Sequence, residues 1–198
     1  MVKKKLILAL FIINAICVSA DVWQSSRITL TYSQNNEYML KVYPRYIPDK
    51  FSTAKYQRQL RKGIVTDSIV PSHAVLYHIS NSDTIEIWNK PLVNRTSPAS
   101  AIVANDGTSV VTINDWYMAG YQHTLVIYGE NGELIEDFEL KDISPFPLEH
   151  YSRSISSIYW RENVEYLDND RIEIHFINRK DEKTIRVFNI KTREFEEP

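Results

Sequence analysis

Aromatic and imidazole side chains are concentrated in one short connecting segment, residues 115–123. The segment DWYMAGYQH separates two alternating stretches, SVVTI and TLVIY, and its glycine permits a sharp reversal. Aromatic side chains on such a loop can stack on a sugar ring, a peptide or a base. Alternatively, the loop folds back to cap a small β core, with its aspartate accepting backbone N–H groups. The candidate partner-binding residues are Asp115, Trp116, Tyr117, Tyr121 and His123.

A second candidate segment, WNKPLVNRTSP at residues 88–98, places Arg95 between two prolines. An arginine in an irregular segment can bind a carboxylate or phosphate with two parallel hydrogen bonds. The structural alternative is that Arg95 fastens this connection by donating to backbone carbonyls or to an acidic neighbour. Both interpretations stay open at the level of sequence.

A third segment, EHYSRSISSIYWR at residues 149–161, contains serines close to His150 and Glu149. Serine and histidine together suggest a nucleophile with its general base. No GxSxG turn precedes the serines, and the alternation in SISSIYW is typical of a strand, so a structural role is favoured. A hydrolase using Asp115, His123 and His150 for acid–base chemistry is the enzymatic alternative, and no residue is assigned as catalytic.

Metal and cofactor sites have no support in the sequence. The histidines are scattered, and none has a helical i, i+4 partner beside a carboxylate. The five glycines form neither a GxGxxG nor a Walker-type phosphate loop. The single cysteine, Cys17, lies in the amino-terminal apolar stretch. We therefore predict no bound metal and no cofactor.

We expect these segments to be held in place by β-strands. Stretches such as RIEIHFIN, TIRVFNI and ITLTY alternate apolar and polar residues and are rich in Val, Ile, Thr and Tyr. Three polar turns, in SQNNEYMLKV, ANDGTSVVTI and LDNDRIEIHF, each precede an alternating strand. This predicts an all-β fold of three β-meander units, which resemble degenerate propeller blades in an open arc or form a β-sandwich. Because three blades are too few to close a ring, the strand edges must be covered, and pairing with a second copy is one way to cover them.

The amino terminus has the features of an export signal. Lys3, Lys4 and Lys5 precede the apolar stretch LILALFIINAICV, and VSA supplies the small residues that signal peptidase requires. We predict a signal peptide at 1–20, and a single all-β domain at 21–198 that has no membrane span and acts in the periplasm or outside the cell. Loss of the three lysines changes the net charge from −2 to −5, which argues against nucleic acid as a partner.

Two stretches of the chain resemble a group of exported bacterial proteins. These are residues 91–140, PLVNRTSPASAIVANDGTSVVTINDWYMAGYQHTLVIYGENGELIEDFEL, and residues 150–161, HYSRSISSIYWR. In that group a VNR…P…DG…VT…W segment precedes a VVIY…G.L hairpin. The resemblance implies a secreted, propeller-like or sandwich-like β domain of bacterial origin, and it implies no activity.

These observations predict a non-enzymatic module that binds a protein or glycan partner through residues 115–123 and 88–98. The alternatives are an extracytoplasmic hydrolase and a structural subunit of an envelope assembly that associates through strand edges.

Overall fold

The computed structural model describes residues 27–46, 58, 62, 70–80, 83–116 and 122–196. The predicted signal peptide at 1–20 lies outside the described residues, as do Tyr117 and Tyr121. Within the described part, the chain is nearly all β-structure, as the sequence predicts. No helix there has the length and hydrophobicity needed to cross a membrane.

Three four-stranded antiparallel meanders make up most of the described fold, and each of them is an open sheet. Sheet I contains β1 Thr29–Tyr32, β2 Tyr38–Tyr43, β3 His73–Ser80 and β4 Asp83–Pro91. Sheet II contains β5 Ser100–Val103, β6 Val110–Ile113, β7 Leu125–Tyr128 and β8 Leu134–Phe138. Sheet III contains β11 Arg161–Tyr166, β12 Arg171–Ile177, β13 Lys183–Asn189 and β14 Glu194–Phe195.

Sheets II and III are joined by a short irregular connection. It contains the single-turn helix α1 Leu140–Ile143, a 3₁₀ turn Leu148–His150, and a small hairpin of β9 Ser152–Arg153 and β10 Ile158–Tyr159. The helix buries its two apolar residues, Leu140 and Ile143, in the core. The connection therefore contributes apolar side chains to the core between sheets II and III.

The three predicted polar turns each join the first and second strands of one sheet. Asn36 and Gly107 adopt positive φ angles of 60° and 73° in the first two turns, a conformation that asparagine and glycine tolerate well. In the third turn, the Asp168 carboxylate accepts the backbone N–H groups of Asp170 and Arg171. The repeated sequence pattern thus corresponds to a repeated structural unit.

The hairpin predicted at Asn131-Gly132 is present between β7 and β8, but its turn differs from the two-residue type that the dipeptide suggested. Gly129 N–H donates to Glu133 O, and Gly132 N–H donates to Gly129 O. Gly132 has a φ of 73°, whereas Asn131 is not among the described residues with positive φ. This is the pattern of a three-residue loop with glycine in the bulge position.

Sheet II is the middle layer of a three-layer stack. All residues of β6 and β7 are buried, because one face of these strands packs on sheet I and the other on sheet III. Val110, Val126 and Tyr128 pack against Leu40, Val42, Leu76 and Trp88 of sheet I. Val111, Ile113, Leu125 and Ile127 pack against Val164, Ile172, Ile174, Phe176 and Phe188 of sheet III. Each such side chain stabilises the fold by about 1.5–3 kcal/mol through burial.

The first strands of the three sheets lie side by side, β1 next to β5 and β5 next to β11. The neighbouring turns also touch, since Asn105 Oδ1 accepts the backbone N–H of Asn35 at 3.0 Å. Ser109 and Tyr166 form a hydroxyl pair at 2.8 Å between sheets II and III. The units therefore repeat in space as they do in sequence, and none of the sheets is closed.

Candidate functional site

The three segments singled out from the sequence meet at one end of sheet II, where β5 and β7 begin and β6 ends. We call this region the loop end. Asn94 joins two of the segments: its Nδ2 donates to His123 O at 3.3 Å, and its Oδ1 accepts from Thr112 Oγ1 at 3.0 Å. Tyr128 fastens the same segment by accepting the backbone N–H of Val93. Burial of Tyr128 raises its pKa to about 12.

Asp115 is held by a two-point ion pair with Arg161, the first residue of β11. Arg161 Nε donates to Oδ1 at 3.0 Å and Nη2 donates to Oδ2 at 2.6 Å. Nη2 also donates to Ser100 Oγ, and the guanidinium lies 5.7 Å from the centroid of the Trp160 ring. Because both side chains are less than one third exposed, this pair fixes the loop end to sheet III.

Trp116 lies where the third segment meets the first. Its backbone forms an isolated antiparallel bridge with Ser157, and Ile158 N–H donates to Asp115 O at 2.8 Å. Trp160, which is fully buried, donates its indole N–H to Asn114 O at 3.2 Å. The serine-rich segment is a small hairpin and not the single strand that its alternation predicts, because a turn closed by Ser154 N–H and Ser157 O separates β9 from β10 and leaves Ile155 exposed. The Trp116 side chain is half-buried.

His123 begins the return from the loop to β7, with a φ of 54°. Its Nδ1 lies 2.8 Å from Asp137 Oδ2, near the end of β8. The two side chains are 33% and 29% exposed, so the imidazole contacts the carboxylate and is also partly open to solvent. A left-handed backbone at a non-glycine residue stores strain, and here the contacts from Asn94 and Asp137 hold it.

Arg95 is exposed at the loop end. The backbone of the neighbouring Thr96 accepts the Arg45 N–H at 2.7 Å, which places the ends of β2 and of this segment side by side. Within the described part of the chain, neither guanidinium has an ion-pair or hydrogen-bond partner. Among the described residues, Arg95 therefore makes none of the contacts that a fastening role requires, and its role as a binding residue stays a prediction.

His150, the remaining acid–base candidate, lies in the 3₁₀ turn and accepts the Arg179 N–H through its backbone oxygen. No hydrogen bond among the described residues joins it to Asp115 or His123. Asp115 instead pairs with Arg161, and His123 pairs with Asp137.

A further cluster lies on the outer face of sheet III and was not recognised in the sequence. Side-chain ligand atoms of Glu165, Glu173 and His175 lie within 4.8 Å of one another. The alternation of RIEIHFIN places Glu173 and His175 on one face of β12, so two of the three residues could have been grouped from the sequence. Only the register of β11 on β12, which pairs Glu165 with Glu173, adds the third residue.

Comparison with known proteins adds no assignment. No protein-family model matches the chain. No curated protein matches it significantly.

Proposed function

We propose that this chain is an exported, non-enzymatic β module that binds an acidic protein or glycan partner through the loop end of sheet II. The observation that carries the proposal is that two neighbouring segments present Arg45 and Arg95, neither of which has a side-chain partner among the described residues. Unpaired guanidinium groups bind carboxylates and phosphates with directional, charge-assisted hydrogen bonds. The half-buried Trp116 lies on the same end and adds a surface of the kind that stacks on sugars and peptides.

The pairing of the candidate acid–base groups supports a binding role over hydrolysis. A general base must reach the proton that it removes, and a nucleophile must reach its base. Asp115 has both carboxylate oxygens occupied by Arg161. The His123–Asp137 contact uses Nδ1 and leaves Nε2 available as a base, but among the described residues no hydrogen bond joins the His123 ring to a serine hydroxyl, to Asp115 or to His150. These contacts position the loop and leave the hydrolase as the less supported alternative.

The structural-subunit alternative draws on a different surface. Ile28 and Leu30 at the β1 edge, and Ile85 and Ile87 on β4, are large apolar side chains that are 44–53% exposed. Exposed apolar edge strands favour pairing with another chain. Light scattering separates the two ideas, since edge pairing gives concentration-dependent dimers and partner binding at the loop end does not require them.

Charge reversal at the loop end tests the binding proposal. Biolayer interferometry would measure binding to polyglutamate, an acidic peptide polymer, and to polygalacturonate, an acidic glycan. We expect binding to at least one polymer, and weakening by about tenfold or more in Arg95→Glu and Arg45→Glu, a loss of about 1.4 kcal/mol. The matched control is Arg179→Glu, an exposed arginine in the β12–β13 turn. Absence of binding to both polymers, or equal weakening by the control, would overturn the proposal.

A further inference from the structure

The outer face of sheet III brings two carboxylates and an imidazole to one point. Glu165 on β11 and Glu173 on β12 are direct cross-strand partners, and His175 follows Glu173 on the same face. His175 Nε2 lies 2.6 Å from Glu173 Oε1 and 3.6 Å from Glu165 Oε1. The three side chains are 22–45% exposed, so the cluster lies near the surface of sheet III, although His175 Nε2 itself is covered.

The two glutamates need a cation between them. Like charges directly opposite each other on a strand pair destabilise a sheet. The cross-strand neighbours Asn163, Val187 and Ile185 are uncharged. The nearest basic residue on the β12 face, Arg171, is paired with Asp168 and Glu196 instead.

The His175 imidazole does not compensate the two glutamate charges through an ordinary hydrogen bond. His175 Nε2 is shielded from solvent and has no hydrogen-bond partner among the described residues, because the short contact with Glu173 lacks hydrogen-bond geometry. A buried ring nitrogen facing two carboxylate oxygens can be satisfied either by a shared proton or by a metal ion. Carboxylate oxygens and a neutral imidazole nitrogen form a donor set that suits zinc and similar dications.

We propose that Glu165, Glu173 and His175 form a binding site for one divalent transition-metal ion, of which zinc is the representative. Ligands at about 2.0–2.2 Å from a tetrahedral zinc ion lie roughly 3.4 Å apart, close to the His175–Glu165 separation. The shorter His175–Glu173 contact lengthens by less than 1 Å to reach that value. Three protein ligands leave one position for water, so the ion is accessible on the surface of sheet III. The site is independent of the loop end.

Isothermal titration of the untagged chain with zinc chloride tests the site. We expect saturation at one ion per chain, and much weaker binding of Mg²⁺, which prefers all-oxygen ligands. Replacing a direct ligand in His175→Gln or Glu173→Gln should weaken zinc binding at least about 100-fold, since even outer-shell partners of metal ligands change affinity by about 10- to 100-fold. Glu162→Gln and His150→Gln are the matched controls and should bind zinc like the original chain.

A second readout distinguishes coordination from a change in folding. Co²⁺ bound to one nitrogen and two carboxylate oxygens gives visible absorption bands, which we expect in the original chain and in both controls, and not in His175→Gln. Urea unfolding of each variant verifies that it is folded before titration. Failure to saturate at one ion per chain, or unchanged zinc binding by His175→Gln, would overturn the proposal. A proton shared by the three side chains would then be the remaining explanation.

Discussion

The ion pair between Asp115 and Arg161 offers the sharpest test of how the loop end is held. In Asp115→Asn the side chain keeps its shape, loses its charge, and turns an NH₂ group toward the Arg161 guanidinium. Breaking a fully buried pair costs about 3–5 kcal/mol, and breaking an exposed pair costs about 0–1 kcal/mol. Because these side chains are 29% and 17% exposed, we expect a loss of about 2 kcal/mol in the free energy of unfolding. For a chain of this length that is roughly 4–8 °C in Tm.

Urea denaturation and differential scanning calorimetry measure this loss. The matched control is Glu162→Gln, which removes a carboxylate from an exposed pair with Lys183 and should change stability by less than about 0.5 kcal/mol. A double-mutant cycle with Arg161→Met should give a coupling of about 1–2 kcal/mol. If Asp115→Asn is as stable as the control, the pair does not fix the loop end, and the reasoning is wrong. A hydrolase that used Asp115 would instead lose activity without losing stability.

Two further predictions concern the contacts that hold the segment at residues 88–98. Asn94→Ala leaves the partly buried His123 carbonyl without its donor and removes one of two partners of the Thr112 hydroxyl, which also contacts Tyr128, so the free energy of unfolding should fall by about 1–3 kcal/mol in urea denaturation. A loss under about 0.5 kcal/mol would show that water replaces both contacts. The pKa of Tyr128 is about 12 when folded against 10.0 when unfolded, so the unfolded chain releases this proton first and stability falls between pH 10 and 12. In Tyr128→Phe the fall in stability between pH 10 and 12 should be shallower. The lost hydrogen bond to Val93 should cost about 1 kcal/mol at pH 8. If stability falls as steeply with pH in Tyr128→Phe as in the original chain, burial of Tyr128 is not the cause of the fall.

The fold class follows from local patterns, and this explains why the sequence predicted it. Alternation with a period of two identifies a strand whatever it packs against, and the polar turns at Asn36, Gly107 and Asp168 mark the first hairpin of each sheet. The Asn131-Gly132 hairpin was likewise found, but its turn class was not. An Asn-Gly dipeptide fits a two-residue turn and also a three-residue loop with glycine in the bulge position. The register of the flanking strands selects between these two turn types.

Tertiary structure alone decided which side chains act together. Asp115 and Arg161 are 46 positions apart, and Ser100 and Arg161 are 61 positions apart, so no spacing rule could have paired them. The sequence made Asp115 a candidate ligand contact, and the fold gives it a positioning role. In the same way, Glu165 joins Glu173 and His175 only because β11 pairs with β12 in one particular register.

Three alternating meanders with polar turns can be read from the sequence, because side-chain alternation and turn chemistry act within about ten residues. Three features need the folded chain: the middle meander is covered on both faces, three separate connections meet at its end, and a glutamate–histidine cluster forms on an outer face. These depend on strand register and sheet stacking. Both are set by contacts between residues that lie far apart in the chain.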